Sequence, residues 1–438
     1  MATDAQKTFL IVLFFISLIT HVLFFYCFFY PNPCLLSFDS AHYHEMACAL
    51  KNNFCFCSSD GVPYFYRLPG YPVFLAGIYS ILGVNPYYVI GVQIVLASFM
   101  PVLVFFLSKR FFAVGRVAGL AALMTAVHPA FFIFPCMLMS EILFVFLFTI
   151  FLIKFIHGLE TYFKPTLPFL AGLVLGVISL IRPLGLPLVL ACIFLTIIYP
   201  GLNVFCRFLK SFMLFVGWGL VIGIWLLRNF LLTGTLFLHT FSGPHLLNHG
   251  ATRIIMETHH ISYEKAKELV QKALETIQKE PQVTHSCLQE KYAWDIMMRY
   301  PSTTIQFFIK NSIKTTISLY SAELLFVDSG GKLPPYDNKR TYADMIKRFL
   351  FPAVHNRAIP FVIYYELMYI IFLFAGFVLF LVQSTRVWPL MLMLTFIALF
   401  IGMSCVCGFA RLRLPIEPLL IIGAAYFYSR TANKFPDS

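Results

Sequence analysis

Apolar runs about as long as the ~20 residues that cross a hydrocarbon core as a helix recur along this chain from end to end. Inside a bilayer the backbone finds no water to bond, so such segments fold as helices. The composition agrees: of 438 residues, 59% are hydrophobic and only 12% are charged. An average soluble domain carries about 25% charged residues, and a soluble fold could not hide this much apolar surface. The sequence therefore predicts an all-α polytopic membrane protein. Its first run, residues 9–30, exceeds the ~7–15-residue core of a secretory signal, and no small-x-small cleavage site follows it. It reads as a retained anchor.

The net charge of +12 raises the question of a nucleic-acid partner. The cations form no basic-aromatic cluster of the kind that binds RNA or DNA, so no nucleic acid is expected. Many fall in the short breaks between apolar runs, where they orient helices by staying on the cytoplasmic side. With Lys7 inside, spans read at residues 9–30, 87–107, 117–134, 142–156, 167–181, 184–199, 211–227, 361–382, 388–407 and 414–428. That makes ten spans with both termini cytoplasmic, in a multi-pass protein of the cell membrane. Lys109, Arg110, Arg116, Lys154, Lys164, Arg207, Lys210, Arg386, Arg430 and Lys434 keep the rule. Arg182 and Arg228 end on the opposite side and break it.

The spans divide the chain into a transmembrane module at 1–228, a non-cytoplasmic region at 229–360 and closing transmembrane helices at 361–438. The first outer loop, 31–72, contains a short amphipathic helix with Tyr43, Met46, Ala47 and Leu50 at helical spacing. Residues 71–82 are apolar but too short to span, so they read as interfacial or re-entrant. In the polar region, Ala266, Leu269, Val270, Ala273, Leu274 and Ile277 mark a surface amphipathic helix. Residues 307–327 read as interfacial, because Lys310, Lys314 and Glu323 interrupt them.

Acids are scarce between Lys7 and Thr252: Asp39, Glu45, Asp60, Glu141 and Glu160. An ionisable group at the membrane is expensive and so is a functional candidate. Asp39 opens the first outer helix, where a carboxylate also suits an N-cap. Glu141 opens a span, where an acid complements the helix dipole. Arg67, Arg182, Arg228, Arg411 and Arg413 end on the same side as both acids. The rigid guanidinium fork suits phosphate. Snorkelling or headgroup contact explains one or two such arginines more readily than five.

Tyr66-Arg67-Leu68-Pro69-Gly70-Tyr71-Pro72 carries Arg67 back to the membrane surface on a segment stiffened by two prolines. Cys34, Cys48, Cys55 and Cys57 allow three disulfide pairings, and the Cys-Phe-Cys spacing is not that of a zinc site. His42, His44, His245 and His249 read as polar interfacial histidines rather than as metal ligands.

Several of these residues occur in an order that resembles a known family. Asp39 is followed by Tyr43 and Ala47, then by Arg67-Leu68-Pro69-Gly70-Tyr71-Pro72. Ser140-Glu141-Ile142-Leu143-Phe144 opens a span, and Ile181-Arg182-Pro183-Leu184-Gly185 forms a turn. Trp225, Arg228-Asn229 and Gly234 close another span; Tyr292-Ala293 and Arg299-Tyr300-Pro301 come next. Arg411-Leu412-Arg413-Leu414-Pro415-Ile416-Glu417-Pro418 opens the last span. Over nearly its whole length the chain resembles the bacterial dolichyl-phosphate-mannose protein mannosyltransferase superfamily, which includes the lipid A aminoarabinose transferases.

The resemblance implies a GT-C glycosyltransferase-like transmembrane bundle with amphipathic interfacial helices in its first outer loop. It implies an enzyme of a bacterial inner membrane that works on the periplasmic side. Such an enzyme takes a sugar from a polyprenyl-phosphate donor with inversion and passes it to a glycan, lipid or protein acceptor. Asp39 falls at the catalytic carboxylate, with Glu141 beside it as orienting acid. Arg67, Arg228 and Arg411, followed by Arg413 and Arg182, are expected to hold the donor phosphate. Protein-modifying members carry Asp-Glu where this chain has Asp39-Ser40, which leaves the acceptor open. A monophosphate donor does not require a cofactor, though a divalent cation is compatible. The competing readings are a lipid-linked sugar flippase, a scaffold protein, and a polysaccharide polymerase or ligase that uses a pyrophosphate carrier. A flippase needs the same arginines but no base, and the inverted repeat common in transporters is not found.

Overall fold

The structure, a computed structural model, describes residues 3–31, 39–58, 61–161, 164–183, 185–275, 281–330, 351–352 and 354–432. Among these residues helices make the whole framework, and the one β-bridge joins Cys57 to Pro63. In chain order the helices begin with α1 (Asp4–Phe28), α2 (Asp39–Asn53), α3 (Gly70–Leu82), α4 (Pro86–Phe112) and α5 (Gly115–Ala126). Next come α6 (Pro129–Ile133), α7 (Glu141–Glu160), α8 (Thr166–Ile181), α9 (Gly185–Ile198) and α10 (Val204–Thr233). The polar region holds α11 (Ser242–His245), α12 (Thr252–His259), α13 (Tyr263–Ala273), α14 (Gln282–Arg299), α15 (Pro301–Ile317) and α16 (Ala322–Asp328). The chain closes with α17 (Ile359–Gln383), α18 (Val387–Met403) and α19 (Glu417–Ala432).

Each of the ten expected spans contains helix among the described residues, but their lengths differ from expectation. Five helices, α1, α4, α7, α10 and α17, are long and apolar enough to cross a membrane, so the protein is multi-pass. The span expected at 117–134 is instead two helical pieces, α5 and the segment Pro129–Cys136, bent by 50°. Two local features explain the break. Pro129 opens the second piece and lacks an N–H, and His128 Nδ1 accepts the Ala130 N–H at 3.2 Å. Helices α8, α9 and α18 have 16, 14 and 17 residues. At about 1.5 Å per residue they fall short of the ~30 Å core. Helix α19 has 16 residues and is preceded by two tight turns, Ala410–Leu412 and Leu414–Ile416.

Packing is tightest where side chains are absent. A Cβ on Gly172 of α8 would sit 2.2 Å from the Leu214 carbonyl of α10, and one on Gly217 would sit 2.3 Å from the Phe169 carbonyl. Small residues let membrane helices approach to backbone contact. A buried amide then ties the elements around the site. Gln93 of α4 accepts from the Tyr71 hydroxyl at 2.7 Å and donates to the carbonyls of Pro135 (3.1 Å) and Met137 (2.7 Å). This fixes the start of α3 and the approach to α7 on one helix.

The expected outer-loop helix is α2, with Tyr43, Met46 and Ala47 buried and Leu50 packed partly against the core. In α13, Ala266 and Val270 are buried and Leu274 follows them inward, but Leu269 and Ala273 are exposed. Its face is therefore narrower than its spacing suggested, and Ile277 lies outside the described residues. Helices α12 to α15 build a separate apolar core that includes Ile254, Ile255, Val270, Ile296, Met297 and Phe307.

Candidate active site

Asp39 is the acid of the first turn of α2. Arg67 Nη2 donates to its Oδ1, and Arg411 Nη1 lies 3.4 Å from its Oδ2. The two arginines reach it across 28 and 372 residues of chain. The carboxylate keeps 25% of its surface exposed. Burial pushes the Asp39 carboxyl up, but Arg67 and Arg411 outweigh it, and the net displacement is below the ordinary carboxylate range. The Arg67 guanidinium also lies 4.7 Å from the Phe241 ring and 5.6 Å from the Tyr43 ring, contacts that hold its plane.

Glu141 is buried at the first turn of α7 and pairs with Arg182 Nη2; Arg182 Nε lies 3.4 Å from Ser140 Oγ. Of Glu141's two oxygens, Oε2 has no hydrogen bond among the described residues. Arg411 lies within electrostatic reach of Asp39, Glu141 and Glu323 together. Asp39, Glu141, Arg67, Arg182 and Arg411 are thus gathered at one place.

Arg228 and Arg413 are engaged elsewhere. Arg228 donates to the carbonyls of Tyr64 (3.3 Å) and Phe56 (2.9 Å) and to Asn229 Oδ1 (2.8 Å), with its guanidinium 4.8 Å from the Trp225 ring. It fastens the first loop to α10. Arg413 is 1% exposed; its Nε donates to Glu417 and its Nη1 to carbonyls at the end of α15, while Nη2 has no hydrogen bond among the described residues.

Several residues of the polar region join the cluster. Glu323, in the first turn of α16, has Arg411, Glu141 and Asp39 as charged neighbours, and burial raises its carboxyl above the ordinary value. His245 precedes and His249 lies within a wide, π-helical turn over Leu246–Ala251, with ring centroids 4.9 Å apart. Such turns interrupt an α-helix and are frequent at functional sites. Burial pushes both imidazoles down to about 4, helped by neighbouring cations. Burial also pushes the Cys407 thiol up to about 12. The Cys407 thiol lies 2.9 Å from His245 Nε2, a contact between two neutral groups.

Arg253 and Lys314 stand near Cys407 and Arg411 with no hydrogen bond or ion pair among the described residues. Burial lowers the Lys314 ammonium, and the like charges of Arg253 and Lys310 lower it further. Glu257 pairs with Lys310 at 3.0 Å, so the like charge near Arg411 falls chiefly on Arg253 and Lys314, and close like charges favour an anionic neighbour. The sequence offered little to single these residues out, since they lie among many other charges. The available signal was the pairing of His245 and His249 at a one-turn spacing.

No group of three His, Cys, Asp or Glu side chains able to hold a metal occurs among the described residues. Cys55 pairs with Cys57, while Cys48 is free and lies 3.7 Å from His44 Nε2. Cys34 and Asp60 lie outside the described residues.

No protein-family model matches this chain, and no curated protein sequence does. Solved structures do match in fold. The archaeal oligosaccharyltransferase AglB from Archaeoglobus fulgidus, in complex with an inhibitory peptide and a dolichol-phosphate, aligns over 100% of this chain at 14% identity with a TM-score of 0.54. Its apo form aligns over 96% of this chain at 15% identity and a TM-score of 0.52. The chain spans about half the length of that protein, 53% of it in the first case. ArnT from Cupriavidus metallidurans bound to undecaprenyl phosphate matches at a TM-score of 0.43 and 11% identity, covering 98% of this chain and 79% of ArnT. That likeness is too slight to bear on the fold. The all-α, multi-span bundle shares its fold with about half the length of these oligosaccharyltransferase structures, consistent with the GT-C-like fold expected from the sequence.

Proposed function

We propose that this protein is an integral-membrane glycosyltransferase that moves a sugar from a polyprenyl-phosphate donor to a glycan, lipid or protein acceptor. We place it in a bacterial cell membrane, with Asp39 on the extracytoplasmic face. The observation that carries the reading is the Asp39 carboxylate held between Arg67 and Arg411 in a partly open site at the edge of an apolar bundle. The archaeal enzyme of the same fold is recorded with dolichol-phosphate, a carrier of the proposed class.

The chemistry follows from the pairing. A carboxylate shared by two guanidiniums is a weak base. A donor phosphate competes for Arg411, whose contact to Asp39 is the longer one, and Arg253 and Lys314 add positive charge on the same side. Asp39 Oδ2 is then released toward the acceptor. The acceptor O–H or N–H gives its proton to Asp39 as the heteroatom bonds to the anomeric carbon. The bond from that carbon to the phosphate oxygen breaks on the opposite face, which inverts the configuration. Polyprenyl phosphate leaves with the electron pair, and its charge stays with the cations, as in other sites preorganised for a developing anion. Glu141 holds Arg182 beside this centre, and residues 229–360 shape the acceptor side.

Asp39→Asn tests the proposal. Purified protein is incubated with a panel of polyprenyl-phosphate sugars and released polyprenyl phosphate is measured. Loss of a general base lowers the rate by about 10²–10⁴-fold while donor binding is retained. Unchanged transfer by the variant removes Asp39 from the mechanism.

A further inference from the structure

Arg411 lies in the tight turn Ala410–Leu412, and Arg413, two residues on, joins it to the next turn, Leu414–Ile416. In a turn of about three residues side chains two apart point in different directions, and these two separate completely. Arg411 faces Asp39, whereas Arg413 enters the core, where its Nε donates to Glu417 Oε1 at 2.6 Å. Arg413 Nη1 caps the end of α15 by donating to the carbonyls of Thr315 and Ser318, each at 3.2 Å, and of Thr316. The Tyr320 ring lies 4.8 Å from the guanidinium, and its hydroxyl donates to the same Glu417 oxygen at 2.6 Å. His128 Nε2 is 3.2 Å from the other oxygen, Oε2. Glu366 of α17 accepts the backbone N–H groups of Tyr320 and Ser321.

We infer that this buried Arg413–Glu417–Tyr320 lock positions Arg411 against Asp39, and that Arg413 acts as a positioning residue rather than as a phosphate ligand. The cluster joins the start of α19, the end of α15, the break before α6 and the middle of α17. Both Arg413 and Glu417 are closed to solvent. Arg411, by contrast, keeps 29% of its side chain exposed. A single residue, Leu412, separates them and no glycine loosens the link, so a shift of Arg413 is transmitted to Arg411. Glu323 starts the helix that follows Tyr320 and Ser321, so the same lock sets a second charged neighbour of Arg411.

The inference rests on reading Asp39 as the transfer centre, and the test separates the two. Full-length wild type, Arg413→Lys, Tyr320→Phe, Arg411→Ala and the double variant Arg411→Ala/Tyr320→Phe are purified in lipid nanodiscs. Tyr320→Phe removes one hydroxyl and keeps the ring, so it serves where Arg413→Lys does not fold. Labelling of Arg411 by phenylglyoxal, read by peptide mass spectrometry, is expected to rise severalfold in Tyr320→Phe. Transfer is expected to fall about tenfold in kcat, since small misplacements of a catalytic group are costly, with donor KM within twofold. The double variant is expected to be no slower than Arg411→Ala, because residues acting through one group are not additive. A raised donor KM at unchanged kcat, additive losses, or unchanged Arg411 labelling would each overturn the positioning role. A wild type that transfers no sugar while Arg411 labelling still depends on Tyr320 overturns the functional reading and supports the lock.

Discussion

At the scale of single residues, Asp39 and the histidines around it set the pH behaviour of the site. Burial takes His239, His245 and His249 down to about 4 from an ordinary value of 6.5. Between those limits the unfolded chain binds protons that the folded chain refuses. Stability is therefore intact above pH 6.5 and declines as pH falls toward 4. Asp39 lies below the ordinary carboxylate range and keeps its charge throughout that window. Thermal unfolding should show a midpoint that drops between pH 7 and pH 5, with a shallower slope in His245→Asn. The transfer rate should show no histidine inflection near 6.5; a step there, abolished by His245→Asn, would show that the ring is protonated in the working enzyme. Asp39 and Glu141 were legible in the sequence because acids are so rare in an apolar chain. The distinct partners of five similar arginines were not, because pairing is decided by contacts across hundreds of residues. Only the fold separates Arg411 at the site from Arg413 in the core and Arg228 on the first loop.

At the scale of elements, the sequence spacing located the helices but not their closeness or their breaks. Period and length gave α2, α3 and the apolar helices, since burial of one face leaves a regular trace. The 50° bend near Pro129 depends on His128 taking a backbone N–H, which no hydropathy pattern records. The α8–α10 contact depends on glycines, which carry no hydrophobic signal. This contact matters to the site because Arg182 follows α8 and Arg228 lies near the end of α10. Gly217 and Gly219 give an internal comparison on one helix. A Cβ at Gly217 meets backbone at 2.3 Å, while one at Gly219 meets nothing within 4 Å. Gly217→Ala is expected to destabilise by about 1–3 kcal/mol, the usual range for overpacking. Gly219→Ala should be neutral or stabilising, since alanine exceeds glycine in helix propensity by ~1 kcal/mol. Unfolding midpoints of the two variants in one detergent decide it, and equal shifts would mean that α8 and α10 do not touch at Gly217.

At the scale of the whole molecule, charge and apolar surface are sorted in a way that ties the site to the bilayer. The spanning helices present exposed large apolar side chains, among them Ile11, Phe15 and Ile19 on α1 and Phe212, Leu220 and Ile224 on α10. The charged cluster gathers where α2, the turn before α19 and the polar region meet, and the second apolar core of α12 to α15 stands beside it. On the proposed function, a donor with a long hydrocarbon carrier would be held by the membrane before the protein touches it. Its relevant concentration is per unit of membrane area, because each buried CH₂ of a lipid anchor contributes about 0.8 kcal/mol to retention in the bilayer. In proteoliposomes, diluting vesicles in buffer at a fixed donor mole fraction should leave the turnover per protein unchanged. Diluting the donor with inert lipid at fixed bulk concentration should lower it in proportion once below saturation. A rate that follows bulk concentration instead would mean that the donor arrives from water, and would overturn the proposal of a membrane-held phosphate.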